Sequence, residues 1–148
     1  MKKNKKILIA SHGSLAKGML SSLNIIIGKV DNIETLCGYL DADFNLEHSI
    51  ETIMKAQDFD KEELIVCTDM VGGSVNNGFI KFLGKYPFYL VSNVNLPFLI
   101  DLILSLDSFQ DNTLETKVKE DVFGVKYINP MVQEWTNLED VEERRREL

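Results

Sequence analysis

The segment that most constrains this chain is residues 6–15, Lys-Ile-Leu-Ile-Ala-Ser-His-Gly-Ser-Leu. The apolar run over residues 7–10 is typical of a buried strand. The following Ser-His-Gly predicts a tight turn, with a helix beginning near Ser14. In an open parallel sheet such a turn lies at the carboxyl edge, where ligands bind. His12 is therefore the first candidate functional residue.

The rest of the chain repeats the alternation of strand and helix. Four strands are predicted over residues 6–10, 34–39, 63–68 and 87–92, and four helices over 14–27, 45–58, 74–84 and 97–106. Strands that alternate with helices of about 10–15 residues favour parallel crossovers, with helices on both faces of the sheet. The fold class expected is α/β, a doubly wound and mainly parallel four-stranded sheet.

The last forty residues have a less regular pattern. A short helix is predicted over 114–121, and the alternation over 122–128 predicts a fifth strand, which Asn129-Pro130 would end. Residues 137–148 predict a solvated helix capped by Thr136 or Asn137, with pairs Asp140–Arg144 and Glu142–Arg146 at i,i+4 spacing. We therefore divide the chain into a domain over residues 1–130 and a charged, helical tail over 131–148.

Composition and charge argue against several kinds of partner. The net charge is -7, and the densest basic patch is at residues 2–6, which argues against nucleic acid or an anionic membrane as the main partner. Both cysteines, Cys37 and Cys67, lie in apolar runs, so reduced thiols and a cytoplasmic location are expected. The N-terminal apolar run is too short for a signal peptide. The run over residues 98–106 falls well short of the ~20 residues that span a bilayer.

Polar residues follow three of the predicted strands, at the same edge of the sheet. These are His12 after the first strand, Asp69 and the Gly72-Gly73-Ser74 segment after the third, and Asn93 and Asn95 after the fourth. Loops that are distant in sequence thus supply complementary polar groups. This convergence distinguishes the site from chance polar residues.

The residue types in these loops suit phosphoryl transfer. Neutral His12 would have a free ring lone pair, and Asp69 would hold the other ring nitrogen as N–H and stabilise the cation that forms. Gly72, Gly73, the Ser74 hydroxyl and a helix N-terminus would cradle an anion, and Ser14 at the first helix would add a second such end. The combination predicts a phosphohistidine intermediate.

Other interpretations remain open at this point. A single histidine after a strand is often only a turn residue, and Gly-Gly marks many turns. A hydrolase with His12 as general base, or a flavodoxin-like or receiver-like binding domain, would use the same sheet edge. However, the first loop lacks the paired acidic residues of a receiver and the Ser/Thr-rich loop of a flavin module. His48 is expected at the surface, and the histidines and cysteines lack metal-ligand spacing, so neither a metal nor a cofactor is expected.

Three motifs in register resemble the mannose-type IIA domain of the bacterial sugar phosphotransferase system (PTS). They are residues 9–13 (Ile-Ala-Ser-His-Gly), 68–76 (Thr-Asp-Met-Val-Gly-Gly-Ser-Val-Asn) and 93–97 (Asn-Val-Asn-Leu-Pro), and the likeness covers about residues 5–130. The resemblance implies that His12 accepts a phosphoryl group from the phosphocarrier HPr and passes it to a IIB component, while Asp69 orients the histidine. The membrane components IIC and IID would carry the sugar.

The resemblance also implies the remaining site residues and the assembly. The residues at the phosphoryl group would be Gly13, Ser14, Thr68, Gly72, Gly73 and Ser74. The family forms homodimers in which a C-terminal strand, here residues 122–128, pairs with the partner's sheet. An alternative within this chemistry is a phosphotransfer subunit for a dihydroxyacetone-type kinase.

The chain departs from the family pattern in three places. Val75 stands where a proline is frequent, Met70 stands where an aromatic residue is frequent, and the tail beyond Pro130 has no counterpart. The tail would be a dimer-stabilising helix or the remnant of a linker. The transported sugar is selected by the membrane components, so this sequence does not specify it.

Overall fold

A computed structural model describes residues 2–146 of the chain, with the side chains of residues 136–141 and 144 left outside the description. Strands and helices alternate in the order β1 (Asn4–His12), α1 (Leu15–Ile27), β2 (Ile33–Gly38), α2 (Leu46–Lys55), β3 (Glu62–Thr68), α3 (Ser74–Ile80), β4 (Tyr89–Val91) and α4 (Leu96–Leu104). A 3₁₀ turn (Leu106–Ser108) and two further helices, α5 (Thr113–Lys119) and α6 (Ile128–Arg146), complete the chain.

The four strands form one all-parallel sheet in the order β2-β1-β3-β4. From β1 the chain moves outward to β2 and then crosses to β3 on the other side of β1. The sheet therefore changes winding direction between β1 and β3, and a crevice forms outside their carboxyl ends at such a point. The register pairs His12 with Gly38 of β2, and Ala10 with Thr68 of β3.

Alternating side chains of the central strands supply two apolar cores, one on each face of the sheet. Ile7 and Ile9 of β1 pack with Leu23 of α1 and Leu99 of α4. On the other face, residues of β1 and β3 pack with helices α2 and α3; this core contains Leu8, Val66, Ile50, Met54 and Phe79. Helices thus cover both faces, and the predicted doubly wound α/β class is confirmed.

Local capping explains where two of the helices begin. The Asn45 side chain accepts a hydrogen bond from the His48 N–H at 2.9 Å, and Asn95 accepts one from the Phe98 N–H at 3.0 Å. Each bond satisfies a backbone donor that the first helical turn leaves without a partner. Pro97 lies in the first turn of α4, as predicted, because that turn needs no proline N–H. His48 is exposed, as expected.

The C-terminal region differs from the sequence prediction. Residues 122–127, all within the described range, form no strand in this chain, and Ile128 already begins α6. The segment packs instead on α4, where Phe123 contacts Phe98 edge to face at 5.6 Å between ring centroids and the Asn95 amide donates to the Phe123 carbonyl at 2.6 Å. The predicted strand is therefore wrong for the single chain, and its exchange with a second copy stays a prediction.

Helix α6 also begins earlier than the sequence pattern indicated. Pro130 lies in its first turn, where a proline is tolerated, and does not end a strand. The caps predicted at Thr136 or Asn137 are wrong, since both residues lie inside the helix. The division of the chain after residue 130 stays a prediction. The Glu142–Arg146 pair is present at 3.8 Å, whereas Asp140–Arg144 lies outside the described side chains.

Over residues 2–146, none of the helices combines the length and the apolar character that crossing a bilayer requires.

Candidate functional site

His12 is the last residue of β1 and lies at the winding change of the sheet. Its side chain is 41% exposed, so the ring is accessible from outside. The turn behind it is fixed, because the Gly13 N–H donates to the Gly38 carbonyl at 2.8 Å and the Ala16 N–H donates to the Ser11 hydroxyl at 2.8 Å. His12 is therefore an accessible side chain on a rigid support.

Asp69 is the first residue after β3, and its carboxylate binds the Nδ1 edge of the His12 imidazole. A single carboxylate oxygen, Oδ2, lies 2.8 Å from His12 Nδ1 and accepts the His12 backbone N–H at 2.9 Å. The other oxygen, Oδ1, accepts the Met70 N–H at 3.0 Å. Burial raises the pKa of the Asp69 carboxyl, but the hydrogen bonds from His12 outweigh it, so the pKa lies below its ordinary value.

An ionised Asp69 determines the ring tautomer. Because a carboxylate accepts hydrogen bonds only, Nδ1 carries the proton and Nε2 keeps the lone pair. The Nε2 atom lies 3.1 Å from the Ser74 hydroxyl, at the first residue of α3. The exposed nitrogen of His12 is thus nucleophilic and faces a hydroxyl donor at a helix N-terminus.

The approach of the loop after β3 to His12 requires glycine at position 73. A Cβ there would lie 2.8 Å from Met70 Cγ and 3.1 Å from His12 Cε1, closer than ordinary contacts. The adjacent Gly72 has a positive φ of 79°, which other residues rarely adopt. The two glycines therefore have different roles, since one makes room for the ring and the other allows the loop to turn.

Tyr39 is a site residue that the sequence analysis missed. Its ring stacks on the His12 ring, with centroids 5.6 Å apart and planes at 26°, and its hydroxyl donates to the Ser74 hydroxyl at 2.8 Å. The available signal was its place directly after β2, since the loop after every parallel strand opens on the same edge. The predicted site residues all come from the loops after the first, third and fourth strands. The loop after β2 contributes none of them, although β2 is the neighbour of β1.

Two other predicted site residues, Thr68 and Asn93, stabilise the loops around the site through hydrogen bonds. Thr68 is fully buried, and its hydroxyl donates to Asn76 Oδ1 at 2.8 Å and lies 2.7 Å from the Ser92 hydroxyl. Asn93 accepts the Val71 N–H at 2.8 Å and so holds the loop after β3. Ser14 precedes α1 at the surface and its side chain forms no cap bond, so its hydroxyl is free for another acceptor.

Among the side chains that the structure describes, no three of the His, Cys, Asp and Glu types cluster in a way that could hold a metal ion. Both cysteines are reduced, and burial raises the pKa of the Cys67 thiol to about 12. Cys67 is therefore inert as a ligand or a nucleophile at neutral pH.

The fold and the site define a doubly wound α/β domain with a histidine, carboxylate and serine constellation at its winding change. The family model for the mannose-type EIIA proteins, described as the PTS system fructose IIA component, matches residues 6–120. The chain belongs to this family of PTS IIA components. A search of curated protein sequences gave no significant match.

Solved structures agree with this assignment. A protein assigned as a phosphoenolpyruvate-dependent sugar phosphotransferase system permease, from Klebsiella pneumoniae, is 36% identical, with a TM-score of 0.80 over 88% of this chain and 95% of that one. The PTS IIA protein associated with the fucose utilization operon of Streptococcus pneumoniae is 31% identical, with a TM-score of 0.72 over 88% and 98%. A mannose/sorbose specific IIA subunit from Enterococcus faecalis, 19% identical with a TM-score of 0.64 over 84% and 98%, shares the fold.

Proposed function

We propose that this chain is a phosphocarrier in which His12 Nε2 accepts a phosphoryl group from HPr and passes it to a IIB component during sugar uptake. The observation that carries the proposal is the 2.8 Å contact between Asp69 Oδ2 and His12 Nδ1, which leaves the lone pair on the accessible nitrogen. Membership of the PTS IIA family supports the same partners.

The transfer needs no group beyond those at the site and the donor protein. The Nε2 lone pair attacks phosphorus and forms the new N–P bond, while the bond between phosphorus and phosphorylated HPr breaks and its electron pair returns to HPr. The imidazole becomes cationic, and the Asp69 carboxylate stabilises it through the Nδ1–H bond. The Ser74 hydroxyl, which lies 3.1 Å from Nε2 at the first residue of α3, would donate a hydrogen bond to a phosphoryl oxygen on that nitrogen.

A carrier also needs a surface that two different proteins can contact. Several apolar side chains in the segments that flank the site are exposed: Leu15, Tyr39, Leu40, Met70 and Val71 are between 48% and 64% accessible. Exposed apolar residues in a contiguous patch are typical of protein interaction sites. The same patch would receive HPr and the IIB component in turn.

The direct test is phosphorylation in a reconstituted system. Incubation with phosphoenolpyruvate, enzyme I and HPr should give one phosphoryl group per chain, labile to acid and stable to alkali. The His12→Ala variant should take up none, whereas His48→Ala, the matched control at the exposed second histidine, should be labelled like the parent protein. Equal labelling of His12→Ala would refute the proposal.

A homodimer is the assembly that we propose for this chain. The segment that would reach a second copy is largely exposed in the single chain, with Val122, Val125 and Tyr127 at 57%, 103% and 73% accessibility. Sedimentation at equilibrium should give twice the 16.8 kDa of one chain, and Val125→Asp should lower that mass. A monomer at all concentrations would contradict the assembly.

A further inference from the structure

We infer that Tyr39 is a positioning residue that holds the Ser74 hydroxyl as a hydrogen-bond donor to the group on His12 Nε2. The inference rests on the proposed function and deepens it. It starts from a continuous chain of three polar atoms: the Tyr39 hydroxyl lies 2.8 Å from Ser74 Oγ, which lies 3.1 Å from His12 Nε2.

The direction of these hydrogen bonds follows from Asp69. Since the carboxylate accepts at Nδ1, Nε2 can only accept, so the Ser74 hydroxyl donates its single proton to Nε2. The Ser74 oxygen in turn accepts from the Tyr39 hydroxyl. Donation from Tyr39 polarises the Ser74 hydroxyl and strengthens its own donor bond, as in other hydrogen-bond chains.

The backbone at Tyr39 indicates that this placement is maintained against a conformational cost. Tyr39 has a φ of +64°, a left-handed conformation that a bulky residue rarely adopts, and such strain clusters at functional sites. Two neighbours fix the ring: Phe44 packs edge to face on it at 5.1 Å between centroids, and His12 stacks on it. A Cβ at the preceding Gly38 would lie 3.3 Å from the Ser11 carbonyl oxygen and 3.4 Å from the Phe44 ring, so glycine lets the end of β2 pack closely against β1 and Phe44.

The role of Tyr39 changes little when His12 is phosphorylated. Nε2 is then bonded to phosphorus, and the Ser74 proton turns to a phosphoryl oxygen beside it, where the bond becomes charge-assisted and stronger. Tyr39 continues to donate to Ser74, so the serine keeps the donor orientation that an anion requires. No proton leaves any residue in this step.

The test is the equilibrium of phosphoryl exchange between HPr and this protein, measured for single and double variants. Tyr39→Phe keeps the stacked ring and removes only the hydroxyl, and it should shift the equilibrium about three- to ten-fold toward phosphorylated HPr, the effect of one hydrogen bond. Ser74→Ala should shift it at least as far. Since Tyr39 acts through Ser74, the double variant should match Ser74→Ala within two-fold.

The matched control is Tyr86→Phe, which removes a hydroxyl that donates to Glu51 Oε1 at 3.0 Å and lies before β4, at the opposite edge of the sheet. It should leave the equilibrium unchanged. The inference is overturned if Tyr39→Phe behaves like the parent protein, or if the effects of Tyr39→Phe and Ser74→Ala multiply independently.

A second measurement separates this inference from the proposed function. In the unphosphorylated protein, the ¹⁵N resonance of His12 Nε2 should move toward that of an imidazole nitrogen without a donor, fully in Ser74→Ala and partly in Tyr39→Phe. It should not move in Tyr86→Phe. If the parent protein takes up no phosphoryl group, the proposed function fails, but the ¹⁵N shifts still test whether Tyr39, Ser74 and His12 form a hydrogen-bond chain. If the resonance does not shift in Tyr39→Phe, the inference about Tyr39 is overturned and the proposed function is not affected.

Discussion

Replacing Asp69 with asparagine tests how much of the reaction depends on the charge at His12. The carboxylate uses Oδ2 for two donors of His12, at 2.8 and 2.9 Å, and Oδ1 for the Met70 N–H at 3.0 Å. An asparagine has one acceptor oxygen, which would remain with the two His12 donors. Its NH₂ group would then face the Met70 N–H, so one bond is lost and the negative charge disappears.

The magnitude follows from the charge that the imidazole gains when Nε2 is phosphorylated. A hydrogen bond to a charged group contributes about 1.5–3 kcal/mol, and about 1.4 kcal/mol corresponds to a tenfold change. Asp69→Asn should therefore slow phosphoryl uptake by about 10- to 100-fold, since the ring cation loses its counter-charge while the tautomer is kept.

Rapid quenching of a single turnover with phosphorylated HPr measures this rate directly. Asp58→Asn is the matched control, because Asp58 Oδ1 also accepts a backbone N–H, that of Asp60 at 3.1 Å, but lies before β3 at the opposite edge of the sheet. Asp58→Asn should react at the parental rate. A folded Asp69→Asn protein that reacts within two-fold of the parent protein would refute the reasoning.

Three further predictions concern the loop, the acid limit and the core. Gly73→Ala should lower the phosphorylation rate about three- to ten-fold with little loss of stability, because its Cβ would displace the His12 ring by a few tenths of an ångström. Gly72 has a φ of 79° and no neighbour within 4 Å of the position that a Cβ would occupy, so Gly72→Ala should instead lower the free energy of unfolding by about 1 kcal/mol. Since the pKa of Asp69 is lowered in the folded state, it stabilises the protein above about pH 4, and the stability difference between the parent protein and Asp69→Asn should shrink as pH falls through that lowered pKa in a urea titration series. Phe79→Ala removes a ring with 0% exposure from the core between the sheet and α3, and should lower the free energy of unfolding by about 3–5 kcal/mol; a loss below 1 kcal/mol would contradict the packing.

Much of the fold follows from local patterns along the chain. Short segments of sequence are enough to determine the continuous apolar strands, the amphipathic helices and the caps at Asn45 and Asn95. Parallel crossovers then place the carboxyl ends of the strands at one edge. For this reason His12, Asp69 and Ser74 could be expected near one another before any contact was known.

Tyr39 could not be found in the same way. Its contact with His12 depends on β2 lying next to β1, and strand order is a tertiary property that no local pattern specifies. The contact also needs a left-handed backbone at a residue other than glycine, asparagine or aspartate, for which sequence offers no signal.

The error at the C-terminus has a different origin. Residues 122–128 alternate in hydrophobicity, which favours a strand that Pro130 would end. A proline is equally well tolerated in the first turn of a helix, and Pro130 lies in the first turn of α6. The choice between the two depends on whether a sheet edge is available, and in the single chain Phe123 packs on Phe98 instead.

The atom that carries the phosphoryl group gives the most direct test of the proposed chemistry. ³¹P and ¹⁵N NMR of the phosphorylated protein identifies the phosphorylated residue and distinguishes phosphorus on Nε2 from phosphorus on Nδ1. Because Asp69 occupies Nδ1 at 2.8 Å, the bond should form at Nε2 of His12, with the Nδ1 proton retained. Phosphorus on Nδ1, on His48 or on any other residue would contradict the proposal.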